Sequence, residues 1–304
     1  MASLEAATTD FGTTDVGKPD VVLAVDVGGT KFAAGVLNRA GRILWEARIP
    51  TPVGAGEAEL WASLEELLSQ VPAGTGADVC GVGCGGPMSR GGELVSPLNI
   101  PGWRDFPLKR RLQELSGLPT WVDNDAKALA LAEGWLGSAV GEQNYVSMVV
   151  STGIGGGIVL DGRLLDGESG NAGHIGHVIV EPQGRRCGCG AHGCLEAEAS
   201  GTAIAAVTGR PPAEAGPEVV ERTGRLVGRA IASVANLLDL KLATLAGSVA
   251  LGFGGPFFAA AQAEVDERCK LSFSSGCRVV RSKLDSSGPL LGAAAVGWRG
   301  LAGA

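Results

Sequence analysis

The chain has 304 residues, 45% of them hydrophobic and 19% charged, which is enough apolar material for one large core or two moderate ones. A net charge of −7, with no stretch dense in lysine and arginine, excludes the broad phosphate-backbone footprint that a duplex-binding protein needs. Seven cysteines, an odd number, read as reduced thiols and point to a cytoplasmic enzyme rather than a secreted protein.

Residues 1–20 have neither a basic start nor a continuous apolar run, so they read as a disordered tail and not as a signal peptide. Val21 to Ile49 reads as an apolar strand, a glycine turn, a second strand, a short turn and a third strand. The first turn, Asp26-Val27-Gly28-Gly29-Thr30-Lys31, sets a carboxylate at a strand end before two glycines and a hydroxyl. Its backbone N–H groups can form a concavity for phosphate oxygens, although an ordinary hairpin uses the same residue types. Glu57 to Val71 carries apolar residues at helical spacing, and Val79 to Gly86 reads as another apolar strand with a glycine-rich end. Gly81, Gly83 and Gly86 match G-x-G-x-x-G, but Pro87 follows and no helical pattern opens there, which excludes a dinucleotide fold. No Walker-type lysine motif occurs, and Pro87 to Trp103 reads as a loop.

Val122-Asp123-Asn124-Asp125-Ala126-Lys127 then precedes Ala128 to Leu136, a run of strong helix formers. Asn124 or Asp125 falls at the helix start, where such side chains cap free N–H groups. Asp125 is also the candidate base, placed to receive a proton from an attacking hydroxyl. Tyr145 to Leu165 repeats the opening strand-turn-strand design, with Asp161-Gly162 as a hairpin signal and Ser151 to Gly157 as a second phosphate-type turn. A helical pattern, Glu218 to Leu238, follows this copy too. The repeat predicts two related α/β lobes with a cleft between them: an N-terminal lobe over 21–122, a C-terminal lobe over 123–288, and a last helix, about 289–304, returning to the first. Leu242 to Ala263 is free of charge over 22 residues, yet its glycines and Pro256 predict a buried strand, a turn and a packed helix rather than a membrane span.

All three histidines lie between positions 174 and 192, interleaved with three of the cysteines. His177, Cys187, Cys189 and Cys194 offer one imidazole and three thiolates, a set that suits a closed tetrahedral zinc site within the loop 177–194. A filled shell leaves no position for catalytic water, so such a metal would shape the loop. The competing reading is buried or disulfide-linked cysteines in an irregular loop.

Taken together, DVGGTK, the NDA segment at Asn124 to Ala126, STGIGGG, GHIGH with CGCGAHGCLE, and the C-terminal GPLLGAAAVGW closely resemble the ROK family of sugar kinases and sugar-responsive repressors. The resemblance implies an actin-like, ribonuclease-H-like two-lobed fold and an ATP-dependent kinase of the glucokinase type, acting on the 6-hydroxyl of a hexose such as glucose or N-acetylmannosamine. It implies Asp125 as catalytic base, with Asn99, Asn124, His174, His177 and Glu196 at the sugar. Asp26 would help hold magnesium. Gly28, Gly29, Thr30 and Lys31 would face phosphate, joined by Thr152, Gly153, Gly155, Gly156 and, near the adenosine, Gly247. Structural zinc would sit on His177, Cys187, Cys189 and Cys194, and the assembly would be a homodimer or homotetramer without nucleic-acid or membrane partners. The alternatives are a kinase for another sugar or a cyclitol, and a sugar-sensing regulator. Against the regulator, only about twenty polar residues precede the first strand, too few for a helix-turn-helix domain.

The sequence departs from the family pattern twice. His174 stands where many glucose-phosphorylating members have Glu, and imidazole is a poorer acceptor for two hydroxyls than a carboxylate; the GHIGH form resembles members that phosphorylate N-acetylmannosamine. Ala246-Gly247-Ser248-Val249-Ala250 replaces a run of three glycines near the adenosine.

Overall fold

A computed structural model describes residues 20–303, so all but the last residue of the expected N-terminal tail lies outside the described residues. β1 (Val21–Val27) and β2 (Lys31–Asn38) are almost continuously buried, whereas β3 (Ile43–Pro50) alternates half-buried and exposed residues, as an edge strand does. The three form an antiparallel meander. α1 (Glu57–Ser69) buries Leu60, Trp61, Leu64 and Leu67, one stripe at helical spacing. β4 (Val79–Cys84) then runs parallel to β1. α2 (Leu108–Ser116) leads to β5 (Thr120–Asn124), parallel to β4, and α3 (Asp125–Leu136) follows with no intervening residue. The sheet order is β3-β2-β1-β4-β5.

The second half repeats this plan. β6 (Tyr145–Val150), β7 (Ile154–Leu160) and the short β8 (Arg163–Leu164) form an antiparallel meander. α4 (Leu195–Ala199), α5 (Gly201–Thr208) and the long α6 (Pro217–Leu238) precede β9 (Leu242–Ala246), which runs parallel to β6. α7 (Ser248–Arg268) connects to β10 (Arg278–Arg281), parallel to β9, and α8 (Gly288–Ala302) closes the described chain. Read from its short edge strand, this sheet is β8-β7-β6-β9-β10, the order and strand directions of the first. The expected duplication is therefore present at the level of topology. Leu242 to Ala263 resolves into β9, a turn and a helix, and no helix among the described residues is long and apolar enough to cross a membrane.

Two compact units result, each with its own apolar core. Among the described residues the first comprises 20–136, 166–172 and 286–303; the second comprises 137–165 and 173–285. This division differs from a boundary at residue 123, because α3 belongs to the first unit. There α3 packs on α8, where a methyl group on Gly292 would come within 2.9 Å of the Ala128 carbonyl carbon. α8 in turn lies on the first sheet so closely that a methyl on Gly81 of β4 would meet the Ala293 carbonyl oxygen at 2.0 Å. The return of the last helix to the N-terminal sheet thus has a specific backbone-to-backbone contact behind it.

Candidate active site and metal loop

In the first unit, three parallel strands end level with one another. Asp26 of β1 is in register with Gly83 of β4, and Gly83 with Asp123 of β5; one residue on, Val27, Cys84 and Asn124 are aligned. Asp125, the first residue of α3, therefore emerges beside the end of β1. Gly83 borders both residues, since a methyl there would be 3.8 Å from the Asp125 Cα and 3.9 Å from Asp26 Oδ1. Burial pushes the Asp26 carboxyl up to about 7, the charge of Asp125 adds to the rise, and Lys31 opposes it. Asn124 Oδ1 accepts from the backbone N–H of Ala126 at 3.0 Å and of Lys127 at 3.3 Å, so it caps α3 as its position predicts.

The Gly28–Lys31 turn is fixed from outside. The Thr51 hydroxyl donates to the Gly28 carbonyl at 2.7 Å, and the Thr51 N–H donates to the Thr30 carbonyl at 3.1 Å. Gly29 tolerates no side chain, because a methyl there would lie 2.5 Å from Asn99 Cβ. That contact brings Asn99 to the turn. The loop carrying Asn99 is anchored by Trp103, fully buried and stacked on Phe106 at 4.2 Å between ring centroids. Arg104 closes it by donating to the carbonyls of Pro97 at 3.1 Å and Ile100 at 3.2 Å. The first unit thus gathers Asp26, Gly28, Gly29, Thr30, Lys31, Asn99, Asn124 and Asp125.

In the second unit the glycine turn is shorter than the sequence predicts. β7 begins at Ile154, and Gly155 and Gly156 pair with Val149 and Met148 of β6, so the turn proper is Ser151-Thr152-Gly153. The hairpin closes early because the Ser151 N–H reaches the Gly153 carbonyl at 2.9 Å. The start of α5 takes up the turn's carbonyls: the Gly201 N–H donates to Ser151 at 2.8 Å and the Thr202 N–H to Thr152 at 3.1 Å. Gly247 adopts φ +98°, a conformation favouring glycine, and packs against Val150. Next to it, the hydroxyls of Ser248 and Ser151 are 2.9 Å apart, so the departure from a glycine run introduces a tie between the turn and the start of α7.

Glu196 stands against the same turn. Its Oε2 accepts from the Ile154 N–H at 2.5 Å, and a methyl on Gly153 would be 3.1 Å from its Oε1. Burial raises its pKa above the ordinary 4.5, partly offset by the Ile154 N–H. His174 and His177 are both exposed, with ring centroids 6.1 Å apart.

The metal-ligating atoms of His177, Cys187, Cys189 and Cys194 all lie within 4.8 Å of one another. Cys187 Sγ is 3.8 Å from His177 Nδ1, and Cys189 Sγ is 3.6 Å from Cys194 Sγ. A tetrahedral zinc site with Zn–S bonds of about 2.3 Å has edges of about 3.8 Å, so donor set and spacing both fit zinc. All seven cysteines are free thiols, which leaves no disulfide to explain the cluster. Glu198, buried, secures the loop from behind: it accepts from the Arg185 N–H at 2.5 Å and from Arg222 Nη2 at 2.6 Å. Glu198 has no sequence signal beyond being a carboxylate two residues past Glu196, and Lys127, a lone cation in an apolar helix, gives no sign of its partners Asp166 and Arg299.

The ROK family profile matches residues 22–298. The chain is 39% identical over 252 residues to an N-acetylmannosamine kinase of Yersinia pseudotuberculosis serotype O:1b, covering 76% of this chain and 84% of that protein. Among solved structures it is similar to the ROK hexokinase of Thermus thermophilus, with a TM-score of 0.81, 34% identity, and coverage of 93% of this chain and 100% of that one. A ROK family glucokinase of Streptomyces griseus, solved with glucose and AMPPNP, gives a TM-score of 0.79 at 27% identity, covering 92% and 99% of the two chains. The chain belongs to the ROK family.

Proposed function

We propose that this protein is an ATP-dependent hexose kinase that phosphorylates the 6-hydroxyl of N-acetylmannosamine. The observation that carries the phosphotransfer reading is the convergence of Asp26, Asn124 and Asp125 at the level ends of β1, β4 and β5, beside the fixed Gly28–Lys31 turn. In the reaction the sugar oxygen bonds to the terminal phosphorus of ATP, the bond from that phosphorus to the bridging oxygen breaks, and the hydroxyl proton passes to Asp125. Asn124 and Asn99 orient the sugar, and the backbone of Gly28 to Thr30, with Lys31, meets phosphate oxygens.

Two carboxylates held close, one of them buried, form an oxygen-only donor set that suits a hard divalent cation, so Asp26 is the residue assigned to magnesium. Magnesium would neutralise phosphate charge. Zinc on His177, Cys187, Cys189 and Cys194 would be structural: with Nδ1 turned to the metal, His177 keeps Nε2 for a sugar hydroxyl. The sugar assignment is supported by the 39% identity to the Yersinia enzyme and by His174, which replaces the carboxylate expected of glucose-specific members. A coupled nucleotide-turnover assay over N-acetylmannosamine, glucose, mannose, N-acetylglucosamine and cyclitols tests the reading. Highest kcat/KM is expected with N-acetylmannosamine; preference for glucose would reassign the sugar, and binding without turnover of any acceptor would reassign the protein as a sensor.

A further inference from the structure

Lys127 is 2% exposed, in the first turn of α3 and two residues beyond Asp125. Burying an unpaired ammonium at that depth is costly, but each of its N–H donors faces an acceptor here. Lys127 Nζ lies 2.9 Å from Asp123 Oδ1, 2.9 Å from Asp166 Oδ1 and 3.0 Å from the Gly170 carbonyl oxygen. Arg299 of α8 bridges the same carboxylates, reaching Asp123 Oδ2 at 3.2 Å and Asp166 Oδ2 at 2.6 Å. Two cations and two anions close the cluster without net charge.

Its contacts reach the residue just before the candidate base. Asp123 Oδ1 also accepts from the Asn124 N–H at 2.8 Å, fixing the peptide that enters the Asn124–Asp125 pair. On its other side the network holds the 166–172 segment, where Asn171 grips the Met88 backbone, accepting from its N–H at 3.2 Å and donating to its carbonyl at 2.9 Å. Met88 opens the loop that carries Asn99, through the bridges Met88 to Val95 and Val95 to Phe106. Burial pushes the Asp166 carboxyl up, but hydrogen bonds from Arg299 and Lys127 outweigh it and hold it below the ordinary 3.8.

We propose that Lys127, Asp123, Asp166 and Arg299 form a positioning network that sets the orientation of the Asp125 carboxylate for proton transfer. None of the four touches the reacting atoms. The inference rests on the reading of Asp125 as the base. Misplacing a catalytic group by about 1 Å costs on the order of 100-fold in rate, so the network should be visible in kcat and not in binding.

The test compares Lys127→Met, Arg299→Met, Arg299→Lys and Asp125→Asn in the full chain, with kcat, both KM values and calorimetric affinities for hexose and ATP. Lys127→Met and Arg299→Met should lower kcat by roughly 10- to 100-fold while both KM values stay within about threefold. Arg299→Lys, which keeps a cation facing both carboxylates, should recover most of the loss. Arg299 is 31% exposed in its side chain, so its pair of variants decides the matter where Lys127→Met fails to fold. A folded Arg299→Met with normal kcat, or an Arg299→Lys as slow as Arg299→Met, overturns the network while leaving the base reading intact. Normal turnover in Asp125→Asn overturns the base reading, and the network with it.

Discussion

Glu196 and Ile154 are joined by a hydrogen bond of 2.5 Å from the Ile154 backbone N–H to Oε2, which ties α4 to the first residue after the second glycine turn. In the proposed function the remaining lone pairs of Glu196 face sugar hydroxyls, which would give one side chain two tasks. Glu196→Gln retains an acceptor for Ile154 but loses the charge, whereas Glu196→Ala loses both. A hydrogen bond to a charged group contributes about 1.5–3 kcal/mol, so Glu196→Ala should raise the hexose KM by roughly tenfold or more and the nucleotide KM as well. Glu196→Gln should affect the hexose alone. Steady-state titration of both substrates checks this, and an unchanged nucleotide KM in the Ala variant would separate the turn from the sugar site.

Asp125→Asn should fold normally and bind hexose with little change, because Asn124 and not Asp125 caps Lys127 and shares the cap on Ala126. Turnover should fall by roughly 10²-fold or more, the loss expected when a general base is removed. Thermal melting and hexose calorimetry on the same preparation distinguish lost chemistry from lost structure.

Freshly purified protein should contain one zinc per chain by elemental analysis, and Cys189→Ser should reduce that content. With His177 proposed for both the metal and the sugar, zinc loss should raise the hexose KM several-fold while changing nucleotide affinity much less. Metal-free protein with unchanged hexose affinity would refute the coupling.

Glu198 should give the loop that carries Cys187 and Cys189 a pH dependence of its own. Burial pushes its pKa up, but the Arg185 N–H and the Arg222 guanidinium outweigh this and hold it below the ordinary 4.5. A carboxylate with a depressed folded-state pKa stabilises fully above its unfolded value, and the contribution disappears as pH falls through the folded value. The melting temperature should therefore decline below about pH 4.5 more steeply in the parent than in Glu198→Gln. Parallel acid profiles for the two would show that Glu198 adds nothing to this slope.

His174→Glu should improve kcat/KM for glucose relative to N-acetylmannosamine, because a carboxylate accepts from two hydroxyls where imidazole accepts from one. The ratio of the two specificity constants is the measurement. A ratio equal to that of the parent would place sugar selection at other residues.

The first glycine turn, the capping Asn124 and the gathering of His177 with Cys187, Cys189 and Cys194 were legible in the sequence because each depends on residues close together in the chain. The strand-turn-strand repeat was legible too, since alternating apolar runs and glycines carry it locally. Long-range packing was not. α3 follows the expected boundary at residue 123, yet it belongs to the first unit because it meets α8, a contact between residues as distant as Ala128 and Gly292. The Lys127 network joins its near neighbour Asp123 to Asp166 and Arg299 from two distant stretches, and nothing in the sequence announces that those two meet it. Gly155 and Gly156 read as turn residues by composition, while the strand pairing that claims them depends on the partner β6.

The docking of α8 on β4 bears on how the protein is made. Domains commonly fold as they leave the ribosome, N-terminal first. Here the helix that covers the β1 and β4 backbone and supplies Arg299 is translated last of all the described elements. The strands bearing Asp26 and Asn124 must therefore wait, with one sheet face uncovered, until the rest of the chain has been synthesised. A stop codon or protease cut just before Gly288 would remove only α8 among the described elements, yet it would strip the cover from the half of the described chain synthesised first.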